Sequence, residues 1–566
     1  MFDICYIILF TVLISYAIGI LFYQFFKTKI TAKFYTLYNS FILALIVALF
    51  TWISIGVLFF NKFGQWTFNS STFLSDIIDN CLGLGFHPVN FTFAYLVAII
   101  GSATNLYVLN YFKNEADEMS FVAWLNAFIA SMLLLVLSTN FFTLFLGWEL
   151  IGLTSFFLIN FWQARRGVLK SSFKAFSFNL VSDIFLLTAL VCFYQCGRTT
   201  DCDSFIYLVI WGGVTSNSVL NLGLISLVIC AAVKSVQLGG HLWLPDSMEA
   251  PVPASALIHS ATLVSAGIYL LCKFNLLYMM GGWTTILVLL GSFTAMYGSI
   301  VSSSQTDMKK LLAYSTMSHC GFLWVLASTG YLYMTSFYLF FHGLFKAATF
   351  FCAGTFIRVY GTQDTRLMGN SHRFFPLESL LLIICAANLS GLPLMLGYLY
   401  KYYFTKLLLT STISCCVLGN LYIAMVSSIL YFFRLTYYVV FDFYKNFKSP
   451  FFFLLVNNRL FLSNFRFSAP NQTVGLSILF VLACFTGLFF CWLSSVVPVY
   501  INYSFDNSQI YTSILPVNIL YLSQYFYFYF LYFTVLGVLI IVNWRKNTTA
   551  VESIIAFILC FFVVLV

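Results

Sequence analysis

The chain has 566 residues, of which 61% are apolar, 20% are aromatic and 8% carry charge. Soluble globular proteins have about 25% charged residues, so a chain with a mean hydropathy of +0.93 has too few polar groups to cover a water-exposed surface. The composition excludes a soluble enzyme, a nucleic-acid-binding protein and a disordered scaffold, and it indicates a membrane-embedded chain. We attribute the net charge of +9 to membrane topology.

Apolar segments long enough to span a bilayer as helices, about 20 residues each, recur along the whole chain. They are continuously apolar and lack the alternation of barrel strands, so we predict an all-α polytopic membrane protein with about 15–16 transmembrane helices. The last segment, 551–566, is the uncertain one. The other predicted spans are 4–26, 34–60, 87–112, 120–138, 140–161, 173–194, 218–240, 251–272, 283–302, 309–330, 334–357, 377–406, 411–440, 474–498 and 517–543.

The basic residues predict the orientation of these spans. Most of the 27 lysines and arginines lie in or near loops that follow odd-numbered spans. The opposite loops contain only Lys62, Arg198, Lys273 and Lys406. Basic loops stay on the cytoplasmic side or on its equivalent, the mitochondrial matrix side. We therefore place the odd-to-even loops there and the N-terminus on the other side.

Three lysines, Lys234, Lys346 and Lys401, remain inside predicted spans. A charged side chain at the bilayer centre costs at least about 2.5–3.5 kcal/mol, so such residues are usually functional. The alternative for each is that its side chain extends to the membrane surface. Carboxylates and histidines lie in the same or nearby spans, and such a series is typical of a proton path. We interpret the following residues as a proton relay: Glu149, Asp183, Lys234, His259, His342, Lys346 and Lys401.

Helix-breaking residues accompany these groups. Pro251 and Pro253 precede His259, and the stretch 391–397, with two glycines and a proline, precedes Lys401. Proline disrupts the helical hydrogen-bond ladder, and interrupted helices in corresponding halves of a transporter bind ions. We therefore expect two repeated units, in each of which a helix with a buried lysine is followed by a broken helix. For His259 taken alone, a structural role is an equally good interpretation.

The segment Val233–Leu271, VKSVQLGGHLWLPDSMEAPVPASALIHSATLVSAGIYLL, resembles the signature of the antiporter-like subunits of respiratory complex I. Three further motifs resemble the largest of these subunits: GWELIGLTSFFLINFW at Gly147–Trp162, FHGLFKAATFFCAG at Phe341–Gly354 with the QDTRLMG that follows, and SGLPLMLGYLYK at Ser390–Lys401. The resemblance implies two inverted five-helix repeats with broken helices, formed by the fourth to eighth and the ninth to thirteenth spans. It implies N-terminal helices at 1–85, an antiporter-like core at 86–440 and C-terminal helices at 441–566.

The resemblance also implies roles for individual residues. Glu149 and Lys234 match an ion pair of a proton channel, and Asp183 matches its neighbouring carboxylate. The other relay residues match a central polar axis, which consists of His259, His342, Lys346 and, in the second broken helix, Lys401. Asp364 and Arg366 match a structural loop motif.

Three positions depart from the pattern of the family. Tyr338 stands where another histidine is frequent, and His319 stands where glutamine is usual. Tyr402 follows Lys401 where aspartate is usual. A tyrosine hydroxyl, with an ordinary pKa near 10, is a poor ionised partner for a lysine.

The resemblance implies a proton-translocating membrane-arm subunit of NADH:ubiquinone oxidoreductase, driven by electron transfer elsewhere in the complex. We expect no cofactor in this chain, because the sequence has no cysteine cluster and no Gly-rich phosphate loop. FMN, iron–sulfur clusters and ubiquinone are expected in other subunits. Expected partners are the neighbouring antiporter-like chain 4, other membrane-arm and accessory subunits and membrane lipids, with no nucleic acid.

Other interpretations remain open at this point. The chain could be a subunit of an autonomous sodium/proton antiporter, or a scaffold that has lost pumping. The 67 phenylalanines and 35 tyrosines favour an AT-rich organelle genome. We therefore expect the mitochondrial inner membrane, with a bacterial plasma membrane as the alternative.

The C-terminal segment leads to a separate expectation. Residues Ile554–Val566 are apolar, whereas a helix that lies along a membrane surface needs a polar face. We therefore expect no long lateral helix in the region 441–566.

Overall fold

The computed structural model describes residues 83, 88–112, 117–211, 218–392, 395, 397–398, 400–401, 405 and 415–442. The predicted spans before residue 83 and after residue 442, and the expected absence of a lateral helix, lie outside these residues. The described residues form helices, with two isolated β-bridges in loops. Seven helical segments, one of them the interrupted segment Val252–Lys273, are long and apolar enough to cross a membrane, and three shorter helices are also apolar. The chain is thus an all-α polytopic membrane protein.

The first half of the described region contains nine helices. Their bounds are α1 Pro88–Tyr111, α2 Glu118–Leu137, α3 Phe141–Ile159, α4 Arg166–Gly197, α5 Cys202–Trp211, α6 Ser218–Lys234, α7 Val252–Ser260, α8 Leu263–Lys273 and α9 Asn275–Met280. Two 3₁₀ turns, His241–Trp243 and Asp246–Glu249, connect α6 to α7. The sequence did not predict the short helices α5 and α9, because their apolar runs are shorter than a span.

The second half contains six helices. Their bounds are α10 Thr284–Ser304, α11 Met308–Ser328, α12 Leu332–Tyr360, α13 Ser371–Phe374, α14 Pro376–Ser390 and α15 Cys415–Thr436. A π-helical turn, Tyr437–Phe441, extends α15. The described parts of the predicted spans between 87 and 440 each coincide with one of these helices or with a pair of them.

The helix breaks differ from the predicted ones in one half of the chain. Pro253 lies in the first turn of α7, where a missing amide hydrogen is harmless. That span is instead interrupted at Ala261–Thr262, between α7 and α8. A further break, which the sequence did not reveal, follows Lys234 at the end of α6. In the second half α14 ends at Gly391, as predicted, with φ +78°.

The breaks give the two halves a common feature. Helices α6 and α14 each end inside the bundle beside a buried lysine. Lys234 therefore corresponds to Lys401. The helix of Lys346, α12, is continuous over Leu332–Tyr360. The expected order is present in both halves: α6 with Lys234 precedes the interruption at Ala261–Thr262, and α12 with Lys346 precedes the break at Gly391.

Glycines allow α10 and α11 to pack closely. A Cβ atom at Gly321 would lie 2.5 Å from the Ala295 amide nitrogen, and one at Gly298 would lie 2.7 Å from the Ser318 amide nitrogen. Small residues are what permit helix backbones to approach each other in membranes, where apolar side chains gain little from leaving lipid. This contact positions the inner face of α11, which carries His319.

We expect Gly321→Ala to destabilise the protein by about 1–3 kcal/mol, because the added methyl group meets backbone atoms that cannot move independently. The measurement is the thermal unfolding midpoint of the purified protein. Gly419→Ala is the matched control, since a Cβ at that helical glycine has no atom within 4 Å. Equal midpoints for the two variants would contradict the proposed packing constraint.

Candidate functional site

Lys234 is fully buried at the C-terminal end of α6. Its Nζ donates a hydrogen bond of 2.7 Å to the Trp148 carbonyl and lies 4.1 Å from the centroid of the Trp148 ring. An ion pair of 3.7 Å joins the same Nζ to Asp183 Oδ1 on α4. A carbonyl, an aromatic face and a carboxylate thus replace the water that this ammonium group would have at a surface.

The backbone after Lys234 explains why α6 ends there. Val236 has φ +62°, a left-handed conformation that costs a β-branched residue roughly 1–3 kcal/mol. The turn is held by buried polar groups: the Trp243 indole donates to the Val233 carbonyl at 3.1 Å, and the Gln237 amide donates to the Ser235 carbonyl at 3.1 Å. Gln237 also accepts from the Thr294 hydroxyl at 2.7 Å. The structure therefore fixes a strained turn next to the buried charge.

Glu149, the predicted partner of Lys234, makes no hydrogen bond or ion pair with it among the described residues. It lies on the exposed side of α3, beside the exposed Leu150 and Leu153. The direct ionic partner of Lys234 is Asp183, and the contact from α3 comes from Trp148. Glu149 acts on Lys234 through its charge rather than through direct contact, and its pairing with Lys234 stays a prediction.

His259 lies on α7 and is buried. Its Nε2 is 3.3 Å from the Ser247 hydroxyl, and its ring stacks on Phe350 with a centroid distance of 5.7 Å. Its Nδ1 has no hydrogen-bond partner in the described part of the chain. Phe350 lies one helical turn after Lys346 on α12, so the structure brings His259 close to the second group of ionisable residues.

That second group lies between α11 and α12. The fully buried Lys346 donates a hydrogen bond of 2.5 Å to the Ser315 hydroxyl. One turn earlier on α12, the His342 ring lies 4.7 Å, centroid to centroid, from the ring of His319. His319 Nδ1 is 2.7 Å from the Tyr338 hydroxyl. Tyr338 and His319, two of the three departures from the family pattern, are therefore bonded to each other.

Lys401 is buried against the end of α14. Its Nζ donates to the carbonyls of Leu389 at 2.7 Å and Ser390 at 3.1 Å, and to the Ser428 hydroxyl at 3.3 Å. Helix C-termini carry unpaired carbonyls and a partial negative charge, which favour a cation. Tyr402 lies outside the described residues.

All seven predicted site residues thus lie in the described region, but they differ in burial. Six are buried or partly buried, and Glu149 is exposed. Sequence reasoning missed Trp148, Ser315 and Ser428, each of which contacts one of the lysines. Their signal was weak because serine is common in membrane helices and Trp148 lay within an aromatic-rich motif.

Lys309, the first residue of the predicted span 309–330, is another buried lysine. It lies in the first turn of α11 and donates to the carbonyls of Met248 at 3.2 Å and Ala250 at 3.0 Å. These carbonyls belong to the irregular segment between α6 and α7. Lys309 therefore anchors the connection that leads from Lys234 to His259.

The loop after α12 agrees with its expected structural role. Asp364 accepts hydrogen bonds from the backbone and the guanidinium group of Arg366, the shortest being 2.7 Å. These bonds hold the pKa of the Asp364 carboxyl below its ordinary value. The loop also pairs with the start of α11, since the Met308 amide donates to the Gln363 carbonyl at 2.9 Å.

A bundle of membrane helices that encloses lysines and histidines defines a polytopic membrane protein with an ionisable interior. Residues 138–430 match the family model described as NADH:quinone oxidoreductase/Mrp antiporter, transmembrane, and the chain belongs to this family.

Several curated relatives carry the name NADH-ubiquinone oxidoreductase chain 5. The chain is 43% identical to that of Paramecium tetraurelia over 64% of this chain and 65% of the relative. It is 36% identical to that of Geomys personatus over 58% of this chain and 54% of the relative. The matched parts thus span somewhat less than two thirds of these relatives.

Two solved structures share the fold. One is the membrane-bound sulfane sulfur reductase, an archaeal respiratory membrane complex, with a TM-score of 0.69, 17% identity and coverage of 85% of this chain and 97% of that one. The other is the Mrp complex from Dietzia sp. DQ12-45-1b, with a TM-score of 0.63, 21% identity and coverage of 98% and 63%.

We expect Asp183→Leu to lower the thermal stability strongly, because removing one partner of a buried ion pair costs about 3–5 kcal/mol. The double variant Asp183→Leu with Lys234→Met should recover most of the loss, since apolar replacement of both partners is often nearly neutral. Unfolding midpoints of the purified protein measure both effects.

The half-exposed pair of Lys174 and Asp246, at 2.6 Å, is the control for this comparison. Surface pairs contribute only about 0–1 kcal/mol, so Asp246→Leu should change the midpoint little. A double variant at the buried pair that is no more stable than Asp183→Leu would contradict the assignment of Asp183 as the direct partner.

Proposed function

We propose that this chain is a proton-translocating membrane-arm subunit of an NADH:ubiquinone oxidoreductase, complex I. The observation that carries the proposal is the enclosure of Lys234, Lys346 and Lys401 inside the helical bundle, where each ammonium group is held by protein oxygen atoms. A scaffold would be more stable with apolar residues at these positions, because burying a charge in lipid-embedded protein costs free energy. The many relatives named chain 5 support the choice of complex I.

The protonation of Lys234 depends directly on a neighbouring charge, the Asp183 carboxylate. At a separation near 4 Å and an effective dielectric constant of 20, a carboxylate and an ammonium attract each other by about 4 kcal/mol. A displacement of Asp183, or its protonation, removes this attraction and favours release of a proton from Lys234. The neutral amine retains a hydrogen bond to the Trp148 carbonyl, so the side chain stays in place.

Glu149 acts on this centre from outside the bundle in our proposal. It follows Trp148 in the chain and lies on the exposed side of α3. A change of its charge alters the electric field at Lys234 through Asp183 and Trp148 rather than through direct contact. This assigns Asp183 the role of direct partner and Glu149 the role of a more distant regulator.

The proton then follows the buried groups toward Lys401. His259 lies between the segment anchored by Lys309 and the α12 face that carries Lys346. His342 and Lys401 continue the series. Water bridges the separations that exceed hydrogen-bond reach.

The proposal includes partners and location. The chain assembles with other membrane-arm subunits, including the antiporter-like chain 4, and with accessory subunits and lipids in the mitochondrial inner membrane. FMN, iron–sulfur clusters and ubiquinone belong to other subunits, so this chain contributes proton movement rather than redox chemistry. Its role in the enzyme is that of one subunit of the proton-translocating reductase.

Copurification distinguishes this proposal from an autonomous sodium/proton antiporter. We expect the native assembly that contains this chain to include an NADH dehydrogenase with flavin and iron–sulfur clusters. An assembly that contains the chain, lacks such a dehydrogenase and exchanges sodium for protons would contradict the proposal.

We expect Lys234→Met to reduce coupled proton pumping by about tenfold or more, because the residue that holds the transferred proton is removed. Pumping is measured in reconstituted vesicles, and NADH oxidation by an artificial acceptor verifies that the complex is assembled. Lys310→Met is the control, since Lys310 is an exposed lysine that pairs with Asp307 at 3.5 Å. Full pumping by Lys234→Met would overturn the relay.

A further inference from the structure

The facing sides of α11 and α12 form an antiparallel series of polar contacts. Ser315 of α11 contacts Lys346 of α12. One turn further along α11, His319 contacts both His342 and Tyr338, which lie one and two turns before Lys346. Residues separated by one turn share a helix face, so the contacts follow one another in order along the helix pair.

His319 occupies the centre of this series. It is buried, with 1% of its surface exposed, and its Nδ1 is engaged with the Tyr338 hydroxyl at 2.7 Å. Its Nε2 has no hydrogen-bond partner among the described residues, and neither nitrogen of the neighbouring His342 has one there. Buried polar atoms are almost always hydrogen-bonded. Three free ring nitrogens at one junction therefore indicate a place where a proton or a bridging water is accommodated.

The series continues from Tyr338 toward Lys401. The Tyr338 ring stacks on Tyr400, the residue before Lys401, with a centroid distance of 4.3 Å. Phe322, one turn after His319 on α11, lies 6.5 Å from Tyr338, and the Lys401 ammonium is 5.6 Å from the Phe322 ring. The His319–Tyr338 pair is thus located between the two lysines.

We propose that His319, with Tyr338, carries protons between Lys346 and Lys401. This inference rests on the proposed function and adds to it a relay residue that the sequence analysis left out. Imidazole suits this task because one nitrogen accepts a proton while the other donates one.

The transfer balances atom by atom. A proton that arrives from the side of Lys346 binds one nitrogen of His342, and the proton on the other nitrogen leaves and reaches His319 Nε2. As that N–H bond forms, the Nδ1–H bond of His319 breaks and its proton passes to the Tyr338 oxygen. The original hydroxyl proton of Tyr338 moves to water or to the neutral amine of Lys401. Rotation of the two imidazole rings restores the starting tautomers.

The titratable groups that act on His319 come from two segments packed against α11. They are His342 and Lys346 of α12, Tyr338 of α12, and Lys401 from the segment after α14. None of these four groups is a carboxylate. Proton transfer here therefore depends on hydrogen-bonded exchange rather than on a stable ion pair.

The test uses His319→Gln and Tyr338→Phe in the complete complex. Glutamine retains a polar group but cannot exchange protons as imidazole does, and phenylalanine retains the ring without the hydroxyl. We expect each variant to lose about tenfold in coupled proton pumping, while NADH oxidation by an artificial acceptor remains at the wild-type rate. The double variant should lose no more than either single variant, because both residues belong to one path.

Tyr107→Phe is the matched control. Tyr107 is a fully buried tyrosine that donates to the Phe351 carbonyl at 3.2 Å and lies outside this series. Its variant should pump at the wild-type rate. If His319→Gln prevents assembly, Tyr338→Phe alone decides the result, because it leaves the larger part of the packing intact.

The outcomes separate this inference from the proposed function. Full pumping by Tyr338→Phe and by any assembled His319→Gln, together with loss in Lys234→Met, would overturn the inference and leave the function standing. Full pumping in all three variants would overturn both. Losses that multiply in the double variant would show two independent effects and would also contradict a shared path.

Discussion

Every buried lysine of the proposed relay must find oxygen atoms inside a lipid-embedded bundle, and the rest of the structure depends on how this requirement is met. Within an intact helix most backbone carbonyls are already bonded, whereas the last carbonyls of a helix are free. Lys401 takes the carbonyls of Leu389 and Ser390 at the end of α14. Lys309 similarly takes two carbonyls of the irregular segment before α7. At Lys401 and Lys309 the ends of interrupted helices thus provide the ligands, whereas Lys346 takes the Ser315 hydroxyl of the intact helix α11.

The two broken helices meet this requirement differently. At Lys401 the described partners are two carbonyls and a hydroxyl, and the cation is close to a partially negative helix end. At Lys234 the partners are a carbonyl, an aromatic ring and the carboxylate of Asp183. Because Asp183 is a charged partner, a small displacement of its carboxylate changes the electrostatic energy of the Lys234 ammonium group more than a similar shift of a carbonyl would. The centre at Lys401 is suited to hold or release a proton without an acidic partner in direct contact.

Histidines connect these centres because imidazole can be both donor and acceptor in a site that excludes bulk water. His259 contacts Ser247 in the segment between α6 and α7 and Phe350 on α12, so it bridges these two parts of the structure. The close packing of α10 and α11 at Gly321 holds the α11 backbone in position. The ring of His319 can therefore stand opposite His342 at a fixed separation. Packing by small residues and proton transfer by polar ones are parts of one arrangement.

Sequence reasoning was most successful where the physical signal is local. The described membrane helices between 88 and 441 lie where continuous apolar runs predicted them, because lipid demands long apolar segments with internally paired backbones. The depth of Lys234, Lys346 and Lys401 followed from their distance to the nearest polar segment. The break at Gly391 was also local, since glycine readily adopts the left-handed conformation found there.

Contacts between helices were beyond the sequence, because the rotation of each helix about its axis is set by packing. The apolar runs on α3 do not distinguish a buried Trp148 from an exposed Glu149, so the direct partner of Lys234 had to come from the tertiary structure. The break after Lys234 was hidden for a similar reason: long-range bonds from Trp243 and Thr294 stabilise a turn that its own residues do not favour. The pairing of His319 with Tyr338 joins positions 19 apart in the chain on two antiparallel helices.

The sequence by itself determined which charges enter the membrane, because solvation depends on local composition. Only the tertiary structure decided which groups these charges face, because the direction in which a side chain points depends on how its helix packs against every neighbouring helix.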